Sequence, residues 1–161
     1  MQAESARVAS ERAELRIGMS SQEVRSAVFA MLETVPHAVG VNNHEGSRAT
    51  SDPHLMKELM PALRERGLFF VDSRTTPATV AYDAALRAGI AAASRKVFLD
   101  DVPERDAIRV QLQAAAADAV RQGSAIVIGH PRPATIAALA QEAPSLEARG
   151  IQMVFASDLV H

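Results

Sequence analysis

The stretch RERGLFFVDSRTT, residues 64–76, contains the signals from which the fold is inferred. A charged helix end runs into Gly67, the apolar run Leu68–Val71 follows at once, and Asp72 ends that run. A glycine directly after a helix readily adopts the positive φ that ends many helices. A short continuous apolar run is typical of a strand buried on both faces of a parallel sheet. The stretch therefore predicts a helix, a glycine stop, a buried strand and a polar loop.

The same unit recurs along the chain. A first helix begins after Ser20, which forms a capping box with Glu23, and ends at Pro36. The other predicted helices cover residues 53–66, 78–88, 104–122 and a stretch that stops at Gly150, and the predicted strands are 38–41, 68–71, 97–99, 125–128 and 151–155. Helices that alternate with such strands indicate an α/β fold with a parallel sheet. Residues 1–15 are predicted to be a loose lead-in. No linker interrupts the pattern, so we predict one domain over residues 1–161.

Composition excludes several classes of function. The net charge is −2, with both signs interspersed, which gives no electrostatic support for nucleic-acid binding. The absence of Cys excludes a disulfide framework, a Cys-ligated zinc and a Cys nucleophile. No apolar run is long enough for a membrane span, and the charged N-terminus is unlike a signal peptide. As encoded here, the chain is predicted to be cytoplasmic.

Polar side chains follow each predicted strand. His44, Asp72, Asp100 and His130 stand at or just after four strand ends. Because the carboxyl ends of parallel strands meet at one edge of a sheet, these residues are expected to open onto one shared face. Two histidines and several carboxylates in that place indicate a hydrolase with a divalent metal, in which one His is a ligand and another an acid or base.

Each of these residues also has a structural interpretation. His44 is either a ligand or a loop histidine that caps the next helix. Asp72 is either a site residue or an N-cap, because Asp-Ser followed by Thr and Pro suits a helix start. Asp100 and Asp101 precede a helix and resemble caps. His130 lies between Gly and Pro after a buried strand, which favours function.

Four segments, in this order and spacing, resemble the divergent polysaccharide deacetylase family. They are VGVNNHEGSRAT (39–50), GLFFVDSRTTPATVA (67–81), VFLDD (97–101) and GSAIVIGHPRPAT (123–135). The resemblance extends over most of the chain. It implies an irregular (β/α) barrel of parallel βα units and hydrolytic removal of acetyl groups from a carbohydrate. Family members of full length are expected to be exported to the periplasm.

The resemblance also implies residue roles. His44 matches a metal-ligating histidine, which implies a divalent metal, zinc. His130 matches the histidine that protonates the leaving amine, and Asp72 is assigned a second catalytic role. The residues implied to bind substrate are Asn43, Arg48, Ser73, Arg74 and Asp100.

The chain departs from the family pattern in two places. Arg48 stands where related deacetylases have a second histidine, and no strand that ends in paired aspartates precedes residue 20. These departures predict a domain that lacks its first strands, with an uncovered sheet edge and self-association. They leave two alternatives to an active deacetylase, namely a degenerate carbohydrate-binding module and an incomplete, inactive gene product.

Overall fold

The computed structural model describes residues 1–2 and 14–161, so most of the predicted lead-in lies outside the described residues. The chain forms two compact units. The first contains residues 1–94 and the last two residues, and the second contains residues 95–159. Both units are α/β with parallel strands, as predicted. Three expectations stay predictions, namely that the strands close into a barrel, that the chain is one domain and that it self-associates.

The first unit contains a three-stranded parallel sheet with helices around it. Its elements are α1 (Ser21–Glu33), β1 (Gly40–Asn42), α2 (Ser47–Thr50), α3 (Pro53–Glu65), β2 (Phe69–Asp72), α4 (Ala81–Arg87) and β3 (Ala92–Ser94). The strand order is β1-β2-β3, which puts β2 in the centre. The core of this unit is built around the amphipathic helix α3 and the central strand. Burial of Phe70, which is 1% exposed, stabilises the unit by about 1.5–3 kcal/mol.

The second unit is smaller. Its elements are β4 (Val97–Phe98), α5 (Arg105–Gln122), β5 (Val127–Ile128), α6 (Pro133–Ala148) and a 3₁₀ helix (Ala156–Leu159). β4 and β5 pair in parallel, and α5 packs against both α6 and β4. The core of this unit is small and aliphatic, with Ile108 and Ala138 fully buried.

The local signals of the sequence are confirmed at the helix ends. Ser20 and Glu23 form the predicted capping box, in which the Ser20 N–H donates to Glu23 Oε2 at 2.8 Å. The glycines at 67, 89, 123 and 150 all have positive φ, between 65° and 86°. Pro53 begins α3 directly after the N-cap Asp52, whose carboxylate accepts from the Leu55 N–H at 2.7 Å.

Several strand predictions are wrong. Residues 151–155 form no strand and pair with none of the described strands, and Phe155 is 81% exposed. β3 was not predicted, since alanine has low β propensity, and pairing with β2 overrides that preference. Burial on both faces holds for β2 but not for β1 or β5, whose residues are at least partly exposed. No helix among the described residues meets the length and apolarity that a membrane span needs.

Candidate functional site

Strand register brings Asp100 and His130 together in the second unit. Phe98 of β4 pairs with Ile128 of β5, and each of these strands is followed two residues later by one member of the pair. Asp100 Oδ2 accepts a hydrogen bond from the His130 backbone N–H at 2.8 Å, and Asp100 Oδ1 lies 3.0 Å from His130 Nδ1. The carboxylate therefore holds both the backbone and the ring of His130.

The Asp100 side chain is wholly buried and has further donors around it. Thr135 Oγ1 donates to Asp100 Oδ2 at 3.0 Å, and the Arg132 guanidinium donates to the Asp100 backbone carbonyl at 3.2 Å. Burial by itself raises the pKa of Asp100, but the hydrogen bonds from His130 and Thr135 outweigh it and hold this pKa below its usual range. Asp100 is accordingly an anion in the folded protein at neutral pH.

His130 is half-exposed, in contrast to its partner. Its side chain is 41% exposed, and its ring meets the Phe98 ring edge-on at a centroid distance of 5.7 Å. A carboxylate beside Nδ1 favours the tautomer with a proton on that nitrogen. Proton exchange with a substrate would then use Nε2. The imidazole is thus oriented by a buried carboxylate and reachable from solvent, as a general acid or base requires.

Asn43 ties together two loops of the first unit. Its side-chain carbonyl accepts from the Ser73 N–H at 2.8 Å, and its side-chain amide donates to the Glu45 carbonyl at 3.0 Å. Thr75 Oγ1 donates to the same Glu45 carbonyl at 2.9 Å. We call these bonds the loop clamp. Asn43 is only 2% exposed, so its contacts are those of a positioning residue. The substrate-binding role predicted for it stays a prediction.

Asp72 is fully buried at the end of β2. Its Oδ1 accepts from the Arg74 N–H at 2.8 Å, and its Oδ2 accepts from Thr79 Oγ1 at 2.9 Å and from the Tyr82 N–H at 3.3 Å. The last bond reaches the first turn of α4, so Asp72 acts as a remote helix cap. The capping contact agrees with the structural interpretation of Asp72, which is compatible with a site role, and the predicted catalytic role stays a prediction.

The remaining predicted residues of the first unit lie in the same two loops, except that Arg48 lies in α2, directly after the first loop. His44 and Arg48 follow β1 and are exposed, Arg74 follows β2 and is exposed, and Ser73 is 5% exposed. Arg74 has a φ of 47°, and Glu45 has a φ of 51°. Such values are uncommon for residues other than glycine, and strain of this kind concentrates at functional loops. The expectation that His44 and His130 open onto one face stays a prediction.

The described residues do not fit a catalytic zinc. Such a site takes about three protein ligands from His, Asp, Glu or Cys. Among residues 1–2 and 14–161, no three side chains of these types converge on one point. Asp72 is the last residue of β2. Both of its carboxylate oxygens accept hydrogen bonds from groups within the protein. The metal-ligand role predicted for His44 stays a prediction, and no chemical step is derived through a metal.

The family model for divergent polysaccharide deacetylases matches residues 1–160. The chain belongs to this family. Membership confirms the resemblance that was inferred from the four sequence segments. It does not by itself define a metal, a sugar or a turnover reaction for this member.

This member of the divergent polysaccharide deacetylase family is similar to proteins of two bacteria. It is 48% identical over 125 residues to an uncharacterized protein of Haemophilus influenzae, a match that covers 78% of this chain and 45% of that protein. It is 43% identical over 151 residues to the uncharacterized protein YibQ of Escherichia coli, covering 94% of this chain and 47% of YibQ. The chain thus spans less than half the length of these two relatives.

A solved structure has the same fold. The crystal structure of the uncharacterized protein ATU2773 from Agrobacterium tumefaciens superimposes with a TM-score of 0.89 at 23% identity, over 93% of this chain and 61% of that one. At this level of identity the match supports the α/β fold of the deacetylase-family chain.

The sequence interpretation missed the partner of His130. Asp100 was assigned to substrate binding, with a capping role as the alternative. The missed signal was that Asp100 and His130 each stand two residues after the ends of β4 and β5, Phe98 and Ile128, whereas the sequence pattern predicts that the first of these strands ends at residue 99. Two strands that pair in parallel place residues at equal offsets side by side. Asp100 therefore orients His130, and its predicted substrate contact stays a prediction.

Proposed function

We propose that the chain is a carbohydrate-acting hydrolase domain that removes acetyl groups, with His130 as the proton donor. The observation that carries this proposal is the pairing of half-exposed His130 with buried, anionic Asp100. Family membership supports the class of substrate and reaction.

The proton transfer would run as follows. The water oxygen bonds to the acetyl carbonyl carbon and the water protons pass to solvent, the bond between the carbonyl carbon and the sugar nitrogen breaks, acetate and an amine are released, and His130 regains its proton from solvent. The leaving nitrogen takes a proton from Nε2 of the His130 imidazolium, and Asp100 stabilises that cation through Nδ1. A positioned proton donor of this kind contributes about 10²–10⁴-fold to rate.

Substrates with different leaving groups test the proposal. An N-acetylated oligosaccharide needs a proton at its leaving nitrogen, whereas an activated acetate ester such as p-nitrophenyl acetate does not. We expect His130→Gln to reduce turnover of the amide about 10²–10⁴-fold and turnover of the ester much less. His54→Ala, a change of an exposed histidine in α3, is the matched control. Equal losses on both substrates would contradict the role of His130 as an acid.

A second candidate is a carbohydrate-binding module without turnover. The observation that favours it is the lack of any three convergent metal-ligating side chains in the described part of the chain. Calorimetry with the N-acetylated oligosaccharide separates the two functions. Binding without hydrolysis by the wild-type chain would support the module and overturn the hydrolase.

A further inference from the structure

His44 and Arg74 are held side by side in the first unit. The loop clamp joins Asn43, which precedes His44, to Ser73, which precedes Arg74. It also joins Glu45, which follows His44, to Thr75, which follows Arg74. Two hydrogen bonds of 2.8 and 2.9 Å thus flank this pair of residues on both sides. The backbones of the two loops are therefore locked together at the point from which these side chains project.

The clamp supports a conformation that costs energy. Arg74 and Glu45 both have positive φ, a backbone conformation that is strained for a residue with a Cβ. A buried asparagine and a buried aspartate hold the loops in that state, since Asn43 binds both loops and Asp72 binds the Arg74 N–H. The buried side chains of Asn43 and Asp72 thus stabilise the backbone conformation that places Arg74 at an exposed position.

The exposed charge of these loops is positive. Arg48 and Arg74 are exposed guanidinium cations, and the exposed imidazole of His44 precedes both of them in the chain. On the negative side, Asp72 is fully buried with both oxygens hydrogen-bonded, and Glu45 is half-buried. Guanidinium groups repel a divalent cation and bind carboxylate or phosphate oxygens in a bidentate manner.

We infer that the loops around His44 and Arg74 bind the acidic group of an anionic sugar. The chemistry that these side chains share is recognition of an oxyanion, either the carboxylate of a uronic acid or a phosphate ester on a sugar. The inference deepens the proposed function and rests on it only in taking the ligand to be a carbohydrate.

Titration of the whole 161-residue chain with four probes tests the inference. The probes are glucose, glucuronate, glucose 6-phosphate and zinc chloride, followed by amide shifts in NMR spectra. We expect at least one acidic sugar to bind about tenfold or more tightly than glucose, with shifts at residues 44–48 and 73–75. The tighter of the two acidic probes identifies the oxyanion. Equal affinity for glucose, or zinc binding that His44→Ala abolishes, would overturn the inference.

Charge variants assign the binding to Arg74. Arg74→Gln should weaken the acidic sugar about tenfold, Arg74→Lys should restore part of the affinity, and Arg87→Gln, at an exposed arginine of α4, should leave it unchanged. Arg74→Asn is a second variant, since asparagine tolerates the positive φ at this position. An acidic sugar that binds all four variants with wild-type affinity would overturn the assignment. Binding is measured without turnover, so loss of deacetylation through His130 on a neutral substrate would contradict only the proposed function.

Discussion

The carboxylate of Asp100 binds His130 at two points, the backbone N–H at 2.8 Å and ring Nδ1 at 3.0 Å. A single buried side chain thus determines both where the loop after β5 runs and how its imidazole is turned. Similar carboxylate–imidazole pairs in enzymes fix the tautomer of the ring.

The first prediction concerns that tautomer. In Asp100→Asn the side-chain amide would donate to Nδ1, so that the neutral ring would have its proton on Nε2. ¹⁵N chemical shifts of the His130 ring distinguish the two tautomers directly. We expect the wild type to be protonated on Nδ1 and the variant on Nε2. Unchanged ring shifts in the variant would show that Asp100 does not set the tautomer.

The second prediction concerns stability at acid pH. The pKa of Asp100 is lowered in the folded protein relative to the unfolded chain. Its contribution to the free energy of unfolding is therefore fully present above the usual carboxyl pKa and is lost as pH falls through the lower, folded pKa. Urea unfolding between about pH 6 and pH 2 should show this loss. Asp100→Asn should be less stable at pH 6 and should have a flatter pH dependence, whereas Asp101→Asn, at an exposed neighbour, should match the wild type.

The Asp100–His130 pair could have been predicted from the sequence, because it follows from strand register alone. The roles of Asn43 and Asp72 could not. Both stand at strand ends, where site residues are expected. Only the three-dimensional structure shows that their polar atoms form hydrogen bonds with the backbone of the loops and of the first turn of α4. A polar residue in this position has the same sequence signature whether it faces a ligand or the interior.

Strand predictions failed where pairing outweighs local preference. The apolar run 151–155 has the composition of a strand, but a strand also needs a neighbour with unpaired backbone groups. Ala92–Ser94 has a helix-like composition and becomes a strand because β2 offers its free edge in parallel register. Helix ends were predicted more accurately, since Ser20 and the glycine stops act through bonds to nearby residues.

A third prediction addresses the loop clamp. Asn43→Ala would leave the Ser73 N–H and the Glu45 carbonyl without the bonds that Asn43 supplies. Loss of two buried hydrogen bonds should lower the free energy of unfolding by about 1–3 kcal/mol. Lys57→Ala is the control, because Lys57 is an exposed residue of α3 and its loss should cost less than about 1 kcal/mol. Chemical denaturation measures both variants, and equal losses would contradict the clamp.

A fourth prediction separates structure from chemistry at Asp72. Asp72→Ala removes the acceptor of bonds from the Arg74 N–H, Thr79 Oγ1 and the Tyr82 N–H. We expect a loss of about 2–4 kcal/mol in the free energy of unfolding and faster amide exchange in the first turn of α4. Thr79→Val, which removes one of these bonds, should have a smaller effect of the same kind. A folded Asp72→Ala chain of wild-type stability would instead support the catalytic role.

The last prediction concerns the packing of α5 on α6 in the second unit. Glu142 is 7% exposed and accepts hydrogen bonds from Arg109 Nε at 2.7 Å and from Gln113 Nε2 at 2.8 Å. The hydrogen bond from Arg109, followed by that from Gln113, holds the pKa of Glu142 below its usual range. Because this pKa is lower in the folded state, the stabilisation is complete above the usual carboxyl pKa and is lost as the pH falls through the folded value.

Glu142→Ala should therefore lower the melting temperature at pH 7 more than Glu147→Ala, a change at an exposed glutamate of the same helix. The difference between the two variants should shrink as the pH falls through the lowered pKa of Glu142, because the carboxylate then becomes protonated in the folded wild type. A double-mutant cycle with Arg109→Ala then measures the coupling between the helices. A cycle with no coupling at pH 7 would show that the Arg109–Glu142 ion pair contributes nothing to holding α5 on α6.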